Sequence, residues 1–198
     1  AVDTVKKVAP RARENYLEAL RKGGPLFEEH GITTPLRMAH FLAQALHETG
    51  GFTVLRESMS YRAARLVAIF GVHHHSAAVT ASEAARLEGH PEQIAERVYG
   101  LGNPRKAREL GNTQPGDGFR YRGNGVLQTT GRGSHRIMGA ACGVDFEGDP
   151  DLVTAPEHAL KPALHEWTRS GLNAFADRND LRTITLRING GFNGMEDR

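Results

Sequence analysis

Three glycine pairs, Gly23–Gly24, Gly50–Gly51 and Gly190–Gly191, each close a stretch in which apolar residues recur at helical spacing. A chain punctuated in this way is confined to short helices joined by tight turns. The first stretch, "PRARENYLEALRKGG", places Tyr16, Leu17 and Leu20 on one side and predicts a surface helix. The second, "TTPLRMAHFLAQALHETGG", is the strongest. Thr34 can cap it, Pro35 suits its first turn, and Met38, Leu42 and Ala45, with Ala39 and Leu46, form its apolar stripe. The third, "DLRTITLRINGG", predicts a short closing helix. Strand-like alternation is almost missing, so the expected class is mainly α.

Further helices are expected in "SYRAARLVAIFG" from Ser60 to Gly71, in "SEAARLEG" and in "PEQIAERVYG". Another is expected in "TAPEHALKPALHEWTRSG", with Leu160, Ala163, Leu164 and Trp167 on one face and a kink at Pro162. Residues 100–134 are dense in Gly, Asn, Asp and Pro, and so long a loop-rich stretch predicts the lining of a site. With 198 residues, 39% hydrophobic, the chain can bury a core, and one domain over residues 1–198, with room for two lobes, is expected. Cys142 is the sole cysteine, so no intrachain disulfide is possible and packing alone must hold the fold. The net charge of +2 is spread along the chain, which excludes a dedicated nucleic-acid surface but suits weak attraction to anionic polymers. No apolar run reaches the roughly 20 residues of a membrane span, and "AVDTVKKVAPRAREN" lacks the apolar core of a signal peptide.

The stretch "QALHETGGFTVLRESMSY" sets Glu48 and Glu57 on either side of a glycine turn. Glu48 falls in the last turn of its helix, where unpaired carbonyls disfavour an anion, and Phe52 offers an apolar wall beside it. Such a carboxyl suits a general acid. Glu57 lies beyond the turn with Arg56, Ser58 and Ser60, a polar setting that suits an ionised base. Cleavage of a bond between sugars needs such a pair.

Four blocks, "FLAQALHETGGF", "RESMSYRAARLVAIFG", "GNTQPGDGFRYRGNGVLQTTGR" and "RINGGFNG", resemble in order those of glycoside hydrolase family 19, the chitinases and related phage and bacterial endolysins. The resemblance runs from about residue 32 to the C-terminus. The cysteine-poor form is closer to the endolysin and bacterial branch than to the disulfide-bonded plant chitinases. It implies a lysozyme-like helical fold with a cleft between two lobes, and an inverting reaction with Glu48 as acid and Glu57 as base. Inversion needs carboxyl groups roughly 6.5 to 9.5 Å apart to admit a water. The resemblance also makes Gln128 and Asn189 substrate-binding residues, and Thr130 the hydroxyl that holds the water with the base. The chain departs from the pattern at Asn124, where the family usually has arginine, and in "ESMSYR" in place of "ENLNYS".

Tyr61, Tyr121 and Phe119 are candidates to stack on sugar faces, with a core or wall position as the alternative for each, while Trp167 is expected in the core. The run His73, His74, His75 lacks metal-ligand spacing and is expected to be a solvated loop, so neither metal nor cofactor is implied. "GDGFRYRGNG" lacks the phosphate-binding pattern, and Cys142 has no activating neighbour and is expected to be a buried structural thiol. The expected activity is inverting hydrolysis of β-1,4 bonds in N-acetylhexosamine polymers, with peptidoglycan favoured and chitin as the alternative. A carbohydrate-binding domain without activity is the rival from another class. A monomer with a polysaccharide as its only partner is expected, made in the cytoplasm and acting on the cell wall.

Overall fold

The computed structural model describes residues 2–191. In chain order the helices are α1 (Val2–Val8), α2 (Glu14–Lys22), α3 (Gly24–Glu29), α4 (Pro35–Glu48), α5 (Ala63–Phe70), α6 (Ala81–Leu87) and α7 (Pro91–Val98). They continue with α8 (Pro104–Leu110), α9 (Asp117–Arg120), α10 (Arg132–Cys142), α11 (Lys161–Arg169), α12 (Asn173–Ala176) and α13 (Leu181–Asn189). Among the described residues β-structure is limited to isolated bridges, so the mainly α class holds.

Local chemistry starts and stops these helices. Thr34, Thr80, Asn103 and Asp180 each accept, through a side-chain oxygen, the backbone N–H three residues on, and so cap α4, α6, α8 and α13. Prolines occupy the first turns of α3, α4, α7, α8 and α11, where a missing N–H is harmless. Pro162 is one of them: α11 begins at Lys161, so this proline opens a helix and does not kink one. Gly111, Gly143 and Gly190 end α8, α10 and α13 in the left-handed conformation. Gly23 and Gly24 behave otherwise. Gly23 stays right-handed and α3 starts at once at Gly24, a helix that a glycine stop concealed.

The chain divides into two compact units that interleave in sequence. The first comprises Ala1–Leu55, Gly125–Leu127 and Asp151–Arg198. Its core gathers Tyr16, Leu17 and Leu20 of α2, Phe41, Leu42 and Ala45 of α4, and Leu160, Leu164 and Trp167 at α11. The buried face of α4 is thus rotated from the expected stripe: Ala39 is exposed, while the polar His40 and Gln44 go inside. Phe41 receives the ring edges of Phe27 and Trp167, each with centroids 5.6 Å away. The second unit comprises Arg56–Asn124 and Gln128–Pro150. Its core is Met59, Leu66, Phe70, Val79, Ile94 and Val98, supplied mainly by α5 and α7. The stretch 100–134 is less loop-like than expected, because it contains α8, α9 and the start of α10. No helix among the described residues is long and apolar enough to cross a membrane.

Candidate active site

Glu48 is the last residue of α4, and the turn that follows it is fixed by Thr49. Thr49 is fully buried; its hydroxyl donates to the Ala45 carbonyl at 2.6 Å and accepts the Phe52 N–H at 2.8 Å. Gly50 and Gly51 then take φ of 57° and 77°, and the Gly51 N–H closes on the Leu46 carbonyl at 2.7 Å. Phe52 also has positive φ, at 58°, an uncommon state for a bulky residue that needs surrounding structure to hold it. That support is its ring, buried against Tyr16 with centroids 5.0 Å apart. Phe52 is therefore spent on the core, not on the apolar wall expected beside Glu48. The surroundings of Glu48 are instead a cavity of about 350 Å³, within the first unit, whose lining includes Phe41, Gln44, Trp167, Glu166 and Arg187.

Glu57 belongs to the second unit and sits outside any helix. Its N–H donates to the Gly123 carbonyl at 2.7 Å, and its own carbonyl accepts from Arg122 Nε at 2.8 Å. Arg122 in turn lies over the Phe119 ring, 3.8 Å from its centroid, and donates to the Phe119 carbonyl. One face of the Phe119 ring thus serves a guanidinium. Next to this backbone clamp, Arg56 pairs with Asn124 in an antiparallel bridge. The carboxylate itself accepts two phenols on one oxygen: Tyr61 Oη at 2.8 Å and Tyr99 Oη at 3.3 Å, both to Oε1. Burial and the neighbouring Glu57 charge push both phenols well above their ordinary range, which keeps them protonated donors. Ser58 and Ser60, the expected polar neighbours, are exposed.

Gln128 and Thr130 fall in the same unit as Glu57. Gln128 has φ of 48°, and its carbonyl accepts the Thr130 hydroxyl at 2.8 Å. A side chain added at Gly123 would place its Cβ 2.8 Å from Gln128 Oε1 and 3.3 Å from Glu57 Oε2. Glycine here lets both side chains approach the backbone closely, since a Cβ would fall inside contact distance of Gln128 Oε1 and crowd Glu57 Oε2. Asn124, at the position where arginine was expected from the family pattern, is fully buried and donates from its amide to the Pro150 carbonyl. It closes a loop and presents nothing outward.

Tyr121 is 1% exposed, with its hydroxyl donating to the Glu147 carbonyl and its ring between Arg132 and His135. Burial thus puts Tyr121 in the core or wall position that was the alternative to stacking on a sugar. Trp167 is core, with its indole N–H on Asn173 Oδ1 at 2.8 Å. Asn189 ends α13, but its side chain lies outside the described residues, as does the end of the "RINGGFNG" block. His73 and His74 are exposed, whereas His75 packs on Phe70 and Tyr99. Among the described residues no group of three His, Cys, Asp or Glu is arranged to hold a metal. Cys142 ends α10 and is half-buried, not fully buried. Thr49, Tyr99 and Arg122 at this site escaped the sequence reading. The capacity of threonine to bond back to the preceding turn could have flagged Thr49. Nothing local flags Tyr99, which meets Glu57 from 42 positions away.

No protein-family model matches the chain. A protein of Haemophilus influenzae described as "glycosyl hydrolase family 19 domain-containing protein" is 32% identical over 197 residues, covering 98% of this chain and 90% of that protein. The chain belongs to glycosyl hydrolase family 19. Among solved structures, chitinase C from Streptomyces griseus matches with a TM-score of 0.52 at 20% identity, over 96% of this chain and 65% of the chitinase. The family 19 chain thus spans slightly less than two-thirds of that chitinase, and at such identity the likeness is one of fold, the lysozyme-like helical fold of a family 19 chitinase.

Proposed function

We propose that this family 19 protein is an inverting glycoside hydrolase that cleaves β-1,4 bonds in N-acetylhexosamine polymers. The observation that carries the reading is near full-length identity of 32% to a family 19 relative, in a chain that keeps a glutamate at both positions where the family has its acid and base. Glu48 gives its proton to the glycosidic oxygen as the bond to the anomeric carbon breaks. Glu57 takes a proton from a water whose oxygen forms the new bond to that carbon on the opposite face. Because the Thr130 hydroxyl proton is committed to the Gln128 carbonyl, its oxygen is left to accept from the same water. One water proton then points to Glu57 and the other to Thr130.

Peptidoglycan is the polymer we favour, since a net charge of +2 and a pI near 8.9 suit an anionic wall. Chitin is the second reading, favoured by the fold shared with a chitinase. Parallel assays on purified sacculi and on chitin oligosaccharides separate the two: turnover of sacculi with slow or no turnover of chitin is expected. The first product from a soluble oligosaccharide should be the α-anomer in its anomeric proton signals. A β-anomer appearing first would mean that Glu57 attacks the sugar directly.

A further inference from the structure

We propose that Tyr61 and Tyr99 are positioning residues that dictate which oxygen of Glu57 takes the water's proton. The inference rests on reading Glu57 as the base. A carboxylate is symmetric until its surroundings distinguish its oxygens, and a base that can present either one, at any rotation, aims poorly. Here both phenols donate to Oε1, at 2.8 and 3.3 Å, while Oε2 accepts no hydrogen bond among the described residues. Oε2 is also the oxygen that a side chain at Gly123 would crowd, at 3.3 Å from its Cβ, so the glycine keeps that oxygen uncovered. The working atom is therefore Oε2, with Oε1 as the anchor.

The phenols can anchor only if their rings are held, and Phe70 holds both. Phe70 is buried at the end of α5 and meets Tyr61 edge to face at 5.5 Å and 83°, and Tyr99 at 5.9 Å and 89°. His75 closes the cluster at 5.2 Å from Phe70 and 6.3 Å from Tyr99. Burial lowers His75 below the ordinary histidine range, so at neutral pH it adds no charge beside the anchor. With ring planes fixed in this way, each hydroxyl has one direction, and the two directions converge on one oxygen. Replacing tyrosine by phenylalanine deletes the donor and keeps the ring that packs on Phe70.

The experiment measures kcat and KM for Tyr61→Phe, Tyr99→Phe and the double variant, each in the parent and in a Glu57→Gln background. In the parent, kcat should fall about ten-fold for each single change and on the order of a hundred-fold for both. KM should stay within about two-fold. In Glu57→Gln, already nearly inactive, the same changes should cost nothing more, because no carboxylate remains to be aimed. An unchanged kcat in the double variant, beside an inactive Glu57→Gln, overturns the anchor and leaves the base intact. Equal proportional losses in both backgrounds overturn it too, since they mark a merely structural role. Wild-type kcat in Glu57→Gln itself removes the base, and the proposal with it.

Discussion

Glu48 and Glu57 stand nine positions apart in sequence, yet the two units that carry them hold them by unlike means. In the first unit the backbone does the holding. Glu48 closes a capped fourteen-residue helix, and a threonine and two glycines within three positions fix the turn after it. In the second unit Glu57 has no helix. Its peptide is clamped by Gly123 and Arg122, 65 or more positions away, and its carboxylate by phenols from just before α5 and just after α7. On the proposed roles, a proton donor at a rigid helix end needs little further aim, whereas a base that shares a water with Thr130 needs its side chain directed.

The largest effect should come from breaking the helix-end carboxyl. Glu48→Gln keeps the shape and the α4 terminus but cannot donate a proton with an acid's strength, so turnover should fall on the order of 10³-fold. Its melting temperature should match the parent's, because the turn depends on Thr49 and the glycines. A variant with near-parental turnover would remove the acid from the first unit and leave the comparison without one of its sides.

That contrast also explains what the sequence made legible. Thr34, Pro35 and the Gly50–Gly51 pair are local signals, so α4 and its closing glutamate could be read directly. The end of α13 at the Gly190–Gly191 pair was legible for the same reason. The surroundings of Glu57 were not, because Tyr99 and Gly123 reach it through tertiary folding and carry no periodic signal. Tyr121 shows the opposite failure: an aromatic in a glycine-rich stretch looks available until burial is known. Phe52 was misplaced because its positive φ turns the ring inward to Tyr16, and a short span of sequence does not reveal φ.

The next effect tests whether the second unit positions a water. Thr130→Val removes the hydroxyl and keeps the shape, so turnover should drop about 10²-fold with KM barely changed. Thr130→Ser should retain most of the rate, since it keeps the hydroxyl that donates to the Gln128 carbonyl. Equal activity in the valine and serine variants would show that the water is held by other groups.

Thr49→Val sharpens the comparison from the other side. It strands the Phe52 N–H in a fully buried position and removes one of the two hydrogen bonds to the Ala45 carbonyl, at a cost of about 1–3 kcal/mol. For a chain of this size each kcal/mol lowers the melting temperature by roughly 2–4 °C. Thr49→Ser, which keeps the oxygen, should recover most of that loss. Recovery of stability and turnover together would tie the aim of Glu48 to the backbone turn.

The smallest effect separates the aromatics of the second unit into those that serve Glu57 and those that serve the fold. Tyr121 gives its hydroxyl to the Glu147 carbonyl at 2.8 Å and has its ring enclosed by Arg132 and His135. Tyr121→Phe keeps the ring and its contacts, so only one hydrogen bond is lost, worth about 1 kcal/mol net. A fall in melting temperature of roughly 2–4 °C is expected. KM and kcat should not move, in contrast to the same chemical change at Tyr61 or Tyr99. The three substitutions delete the same atom from the same residue type, so any difference among them reports what the hydroxyl touches. A raised KM for Tyr121→Phe with an unchanged melting temperature would return this tyrosine to the sugar-binding surface. The Glu147 contact would then be incidental to its role.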